Sequence, residues 1–319
     1  MFHGHGKREA FFEGWYFKCV DASQQHVYAF IPGVFMASGG REKSHSFVQV
    51  LDGATGRSTY HQYALDDFSA STREFDVHVG PNHFRLDALS LELASQRQTV
   101  RGRLQFEGQA PWPVSPASPG VMGPYAFAPF MECYHGVLSL DHAIHGALEI
   151  NGAPISFDAG RGYIEKDWGQ AFPQAWIWLQ TNHFDQQGVS VTASVATVPW
   201  LGSHFRGFTI GLLHQARLYR FATYTGARIT SLQLTDTQAR LRVADRHYAL
   251  EIDAQRSEGG LLHAPYRVEM LQRVTESLTA SVAVRLLALE RGRERVIFEG
   301  TGRHAGLEIS GELQQIFDA

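Results

Sequence analysis

The sequence predicts an all-β protein made of two halves, each forming an antiparallel barrel or a strongly curved sheet. Three observations carry that expectation. Gly, Asp, Asn or Pro punctuates the chain roughly every eight to twelve residues, between short stretches rich in Val, Ile, Phe, Tyr and Thr, the spacing of antiparallel strands. Helical periodicity is scarce. The chain has 319 residues, against about 150 per domain, so two halves of similar size each hold enough strands to close on themselves. The expected domains are 1–158 and 159–319, with the boundary between Asp158 and Gly162. No repeat with a period of about 20 to 50 residues is visible, which argues against a propeller or a solenoid.

Taken in chain order, Phe11 to Lys18 is an aromatic strand, and residues 109–130 form a connector. Six of the twelve prolines fall between Pro111 and Pro129, too many for a central strand or a helix interior. Trp112, Tyr125, Phe127 and Phe130 make this connector too apolar to hang free in water, so it is expected to lie across another surface. Gly146 to Phe157 reads as a hairpin, because Asn151-Gly152 accepts the positive φ of a primed turn between Leu148, Ile150 and Ile155, Phe157. A second hairpin runs through Leu241 and Val243, a turn at Ala244 to His247, then Tyr248, Leu250 and Ile252. A third spans Ser281 to Glu299 around Arg291-Gly292-Arg293. Met270 to Leu278 fits a helix by spacing and a strand by its Val and Thr content.

Composition excludes several classes. Lys+Arg 28 against Asp+Glu 32 leaves a net charge of -4 without a block of one sign, so no phosphate-neutralising surface for nucleic acid is expected. No apolar run approaches the roughly 18 residues of a membrane-spanning helix, and contact with a membrane is expected to be transient at most. The first residues lack the apolar stretch of a signal peptide and no Asn-x-Ser/Thr acceptor occurs, so the expected location is the cytoplasm. Cys19 and Cys133 read as two buried thiols. Residues 53–59 lack the Lys of a phosphate loop, Thr209 stands where a nucleophile elbow needs Ser, and no dinucleotide fingerprint follows a strand. His142 with His145, and His3 with His5, lack a third ligand at useful spacing, so neither a metal nor a cofactor is expected.

Chemistry concentrates where aromatics crowd ionisable groups. One block is Phe11 to Lys18, with Glu13, Trp15, Tyr16 and Lys18; the other runs from Gly162 to Gly169 and on through Trp176 to Phe184. On a strand, Glu13, Trp15 and Phe17 share a face, as do Tyr163, Glu165 and Asp167, and as do Trp176, Trp178, Gln180, Asn182 and Phe184. Indoles mixed with amides can line a barrel interior holding a mostly apolar ligand. Equally, Glu165, Lys166 and Asp167 could make a structural ion network with Arg161 or Lys18.

These blocks resemble the tocopherol cyclase family. The family's early element stands intact as Phe12 to Lys18. Its second signature appears as Tyr163 to Gly169, with Asp167 in place of Asn, followed by Phe172-Pro173 and Trp176 to Phe184. Leu262 to Pro265, Val296 to Glu299 and Leu307 to Gly311 are similar to its C-terminal half. The sequence departs from the plant-type cyclases in a shorter middle segment, where Met131-Glu132 replaces a Trp-Gln pair. The resemblance implies two lipocalin-like, calycin-like β-barrels packed together, with the connector belonging to the first.

It also implies a chemistry: a prenylated hydroquinone or other isoprenoid folds in an apolar cavity, an acid protonates its alkene, and a phenol oxygen closes the ring. Glu165 and Asp167 are the candidate acids, one kept neutral by burial and by the other's charge. Trp15, Tyr16, Trp168, Trp176 and Trp178 are candidate partners of a carbocation. Gln180, Asn182 and His183 would orient hydroxyls, and Glu13, Lys18, Glu132, Tyr163 and Lys166 complete the expected binding set. Two further functions stay open: a hydratase acting on a polyene, and a carrier of a hydrophobic small molecule without chemistry of its own.

Overall fold

The computed structural model describes residues 1–319 apart from 40, 130, 201, 202, 267, 268, 291 and 319. Alternating apolar and polar residues, broken by Gly, Asn and Asp turns, place nearly all of the chain in antiparallel strands. The first sheet contains β1 (Phe11–Val20), β2 (Val27–Met36), β3 (His45–Asp52), β4 (Ser58–Ala64), β5 (Phe68–Ala70), β6 (Asp76–Val79), β7 (Asn82–Arg85), β8 (Ala88–Ala94), β9 (Thr99–Glu107), β10 (Cys133–Ile150), β11 (Ala153–Ser156) and β12 (Gly160–Gly169). Its order is β4-β3-β2-β1-β12-β10-β9-β8-β7-β6-β5, with β11 beside β10.

The second sheet contains β13 (Ala175–Thr181), β14 (Ser190–Trp200), β15 (Ser203–His214), β16 (Arg217–Ala222), β17 (Arg228–Leu234), β18 (Gln238–Ala244), β19 (Tyr248–Gln255), β20 (Gly260–Tyr266), β21 (Glu269–Glu290) and β22 (Arg293–Gly311). Its order is β16-β15-β14-β13-β22-β21-β19-β18-β17, with β20 beside β21.

Both orders are open paths, which corrects the expectation of two lipocalin-like barrels. Among the described residues no ladder joins β4 to β5 or β16 to β17. A closed barrel needs its end strands to share a continuous ladder. β5 offers three residues after a 3-10 turn at Leu65–Asp67. A similar turn at Thr223–Thr225 separates β16 from β17, whose side chains are largely exposed, as suits an unpaired edge.

The chain forms two compact units. One contains Met1–Trp112, Glu132–Phe172 and Gly260–Val274; the other contains Pro113–Met131, Pro173–Gly259 and Thr275–Ala319. The core of the first packs Trp15, Phe17 and Cys19 of β1 with Phe30, Val48, Leu89, Leu104, Ile144 and Ile164. The core of the second packs Ile177, Leu179, Val191, Val195, Ile210, Leu250, Val284 and Leu307. Among the described residues no helix is long and apolar enough to cross a membrane.

All three hairpins form. Leu148 faces Ile155 and Ile150 faces Ala153 across Asn151 and Gly152, whose φ values of 53° and 81° are those a primed turn requires. Leu241 faces Ile252 and Val243 faces Leu250. In the third hairpin Glu290 faces Arg293, while Arg291 lies outside the described residues. Met270 to Leu278 is strand, inside β21. The strand β13 stops at Thr181, so Phe184 does not continue the face of Trp176 and Trp178; it turns into the apolar core.

The Pro-rich connector is packed. Tyr224 Oη donates to Val121 O at 2.8 Å, Gly123 leaves room for the Tyr224 ring, and Tyr125 lies 5.8 Å from Phe205. Trp112 is buried, Phe127 is exposed, and Phe130 is outside the described residues. Both thiols are free; Cys19 is buried and Cys133 only partly so.

Gly102 tests the central pairing of β9 with β10. Its φ is 134°, and a Cβ there would lie 2.5 Å from the Ala147 carbonyl oxygen. Gly102→Ala is expected to cost about 1–3 kcal/mol, read as a lower urea midpoint with an unchanged slope.

Candidate active site

Strand β12 lies between β1 and β10 and presents Glu165, Lys166 and Asp167 in succession. Because alternate side chains leave opposite faces of a sheet, Glu165 and Asp167 project to one side and Lys166 to the other. Register assembles each face. On β1, Tyr16 stands opposite Glu165 and Gly14 opposite Asp167, while Trp15 stands opposite Lys166 and Glu13 opposite Trp168. On β10, His135 stands opposite Asp167 and Val137 opposite Glu165.

The face bearing the two acids holds a compact polar cluster. Tyr163 Oη donates to Glu165 Oε2 at 2.5 Å. His135 Nδ1 lies 2.9 Å from Asp167 Oδ1, and its Nε2 lies 3.8 Å from Glu165 Oε2. Burial alone would lower the His135 pKa. The charges of Asp167 and Glu165 and the hydrogen bond to Asp167 outweigh it and raise the pKa to about 9. The imidazole is therefore a cation at neutral pH, with Nδ1–H donated to Asp167 and Nε2–H turned toward Glu165.

Apolar residues surround the cluster. Phe12, Phe35, Ala37 and Phe47 form a small buried group on this face, with Tyr60, Cys133 and Phe172 against it. A Cβ built on Gly14, beside Asp167, would meet the Pro32 carbonyl oxygen at 3.7 Å, an ordinary contact, so β1 places no side chain next to the acids at this position. Lys18, fully buried, lies on the same face opposite Tyr163.

The opposite face is a closed ion pair. Lys166 Nζ bonds Glu13 Oε1 and donates to Met1 O at 2.7 Å, while His3 N donates to Glu13 Oε2 at 2.7 Å. The ammonium sits 5.2 Å from the Trp15 ring and 4.9 Å from the Trp168 ring. Trp168 is itself stacked between His3 and Tyr134. Desolvation lowers the Lys166 pKa, and the Glu13 carboxylate opposes that shift. The indoles of Trp15 and Trp168 thus serve a resident cation, and Glu13, Trp15, Lys166 and Trp168 stand on the far side of the sheet from Glu165 and Asp167. Arg161, a suggested partner of the acids, pairs with Asp141 instead.

The remaining expected residues belong to the second unit, apart from Glu132, whose carbonyl accepts Gln170 N at the end of β12. Trp176, Trp178 and Gln180 lie on the face of β13 opposite its apolar core, not in a barrel interior. Trp176 Nε1 donates to Glu308 Oε2 at 2.6 Å. Gln180 is fully buried with both amide atoms unpaired among the described residues, and Gly306 opposite it makes room for the Trp178 ring. Asn182 and His183 follow the strand end, where His183 bridges to Arg303.

His135 is the residue sequence reasoning missed. Its signal was weak: a lone histidine beside the Pro-rich connector, joined to Asp167 only by the pairing of β10 with β12. Among the described residues two groups of side chains converge closely enough for a metal ion, His135 with Glu165 and Asp167, and Asp76 with His78 and His83. In the first, Tyr163 occupies one acceptor of Glu165 and the imidazole is held protonated, so the cluster suits proton storage better than ligation. A surface groove of about 450 Å³ in the second unit involves Arg240, Arg242, Arg285 and facing carboxylates. These charges neutralise one another through Arg240–Asp253, Arg242–Glu251 and Arg285–Glu299 pairs. None of the site residues lines this groove.

Two large open antiparallel sheets, the first carrying a buried acid–imidazole cluster, define an all-β protein. The model of the Tocopherol cyclase-like family matches residues 90–311, and the chain belongs to that family. A probable chloroplastic tocopherol cyclase of Oryza sativa subsp. japonica is 26% identical over 192 residues, covering 57% of this chain and 40% of that protein. The chloroplastic tocopherol cyclase of Zea mays is 24% identical over 193 residues, with the same coverage. The match therefore spans under half the length of these curated relatives. Among solved structures, kievitone hydratase from Nectria haematococca aligns over 94% of this chain and 89% of its own, with a TM-score of 0.52 and 13% identity. CghA with Sch210972 aligns over 95% and 89%, with a TM-score of 0.57 and 8% identity. These two show the fold.

Two outcomes test the site's electrostatics. His135 has a higher pKa folded, about 9, than unfolded, 6.5. Its stabilisation, about 3 kcal/mol, is complete below pH 6.5 and lost as pH rises through 9. The cost of His135→Gln in urea melts should therefore shrink between pH 6 and pH 10. Glu13→Gln strands the Lys166 charge and is expected to cost about 3–5 kcal/mol, whereas replacing both partners together, as Glu13→Leu with Lys166→Met, should recover most of it.

Proposed function

We propose that the protein is an enzyme that binds an apolar small molecule with a carbon–carbon double bond and protonates that bond, water then adding to the cation. The Tyr163–Glu165–His135–Asp167 cluster, on a face of the sheet that it shares with a buried apolar group and with Gly14, is the observation that carries this reading. The proton that His135 holds passes to Glu165, which delivers it to the alkene. Tyr163 donates to Glu165 Oε2 and holds the carboxyl in place. Asp167 orients the imidazole so that Nε2–H, the source of that proton, faces Glu165. The ring of Tyr16, opposite Glu165, offers an electron-rich surface near the developing cation. Water attacks the cationic carbon and returns one proton to the cluster, so the cycle closes with net addition of water.

Ring closure begins with the same protonation and differs in the nucleophile, an internal hydroxyl of a prenylated hydroquinone. The names of the plant relatives support that variant, and the hydratase name of the structural neighbour supports addition of water. A second reading, a carrier without chemistry, draws on the aromatic and amide face around Trp178 and Gln180.

The test supplies the protein with prenylated hydroquinones and linear polyenes in deuterium oxide and follows deuterium uptake and mass gain by mass spectrometry. Glu165→Gln is expected to lower the rate about a hundredfold or more while ligand affinity stays within about threefold. Binding by the unaltered protein with no deuterium uptake from any alkene would replace the enzyme by the carrier.

A further inference from the structure

Away from the acid cluster, the short hairpin of β6 and β7 gathers two imidazoles and a carboxylate on one face. Val77 and Val79 point into the core, so Asp76 and His78 point outward, and His83 stands directly opposite His78. The two rings lie parallel, 9° apart, with centroids separated by 4.0 Å. His78 Nε2 is 3.4 Å and His83 Nε2 is 3.1 Å from the same oxygen, Asp76 Oδ1. A tetrahedral zinc ion with bonds of about 2.0–2.1 Å holds its ligand atoms about 3.3 Å apart, close to these two imidazole–carboxylate separations, and the stacked rings have to turn about their Cβ–Cγ bonds to aim both Nε2 lone pairs at one ion.

We propose that Asp76, His78 and His83 form a binding site for a divalent first-row transition ion of the zinc class, with the fourth position open to water. Neutral imidazole and carboxylate donors suit such an ion. The site is built on a stiff turn. Gly80 takes a φ of 55°, and Asn82 locks the hairpin by donating to Val79 O at 2.9 Å and to Tyr63 Oη at 3.1 Å, while its Oδ1 accepts Glu92 N.

Neighbouring groups leave the site clear. Arg85, the cation opposite Asp76, forks onto Asp87 with bonds of 2.9 and 3.0 Å and so does not claim Asp76. Serines flank the histidines, Ser69 opposite His78 and Ser90 opposite His83. All three ligands are partly exposed, which gives the ion a path and the open position its water. The ion would cross-link β6 to β7, near the β5 edge of the first sheet.

The experiment titrates the tag-free full chain with Co²⁺ and then Zn²⁺, reading the visible absorption of tetrahedral cobalt. One equivalent should bind, and Zn²⁺ should bleach the signal. His78→Gln and His83→Gln should each weaken binding about tenfold or more with unchanged circular dichroism, since both side chains lie outside the core. His135→Gln should bind as the unaltered protein does. The proposal is overturned if no saturable cobalt spectrum appears, or if binding falls with His135→Gln and survives both hairpin variants.

Discussion

Three consecutive ionisable residues pass through the middle of a twelve-stranded sheet, and each charge has to be neutralised on its own face. An unpaired ion at that depth costs several kcal/mol, more than most single contacts return. Strand alternation assigns Lys166 to one face and Glu165 with Asp167 to the other. The chain then supplies a partner on each side from different neighbours: Glu13 from β1 for the lysine, and His135 from β10 for the acids. Most of the surrounding architecture serves these two solutions, including the indoles over Lys166 and the absence of a side chain at Gly14.

The two faces are solved differently, and the difference separates scaffold from chemistry. Lys166 and Glu13 are saturated: the ammonium has a carboxylate, a carbonyl and two aromatic rings, and nothing about it invites a ligand. On the acid face one imidazolium stands between two carboxylates, with a phenol donating to one of them. Protons in such a set belong to the group rather than to one residue. The resemblance implies a neutral acid beside indoles; here a protonated imidazole stands between the two acids, and Trp15 and Trp168 lie on the other side of the sheet.

In the proposed chemistry, the product varies with the nucleophile that the site admits. Protonation of an alkene asks the protein for a dry acid and a surface tolerant of positive charge. The fate of the cation depends on which oxygen is nearest. Fold likeness to proteins of 8–13% identity carries the architecture alone, and the chemistry rests on the cluster's own geometry.

Local chemistry was readable from sequence wherever partners are close along the chain. Asn151-Gly152 dictated its hairpin because its backbone accepts positive φ, and period-two alternation named the faces of β1, β12 and β13. Glu165 and Asp167 could be paired because side chains two positions apart on a strand share a face. Closure of the sheets, the arrival of His135 at Asp167 and the occupation of Trp15 and Trp168 by Lys166 could not. They depend on β12 inserting between β1 and β10, strands more than a hundred residues apart at Phe11 and Cys133. Alternation tells a side chain which way to point; long-range pairing decides what it meets there, because register across a ladder is set by the packing of both faces at once.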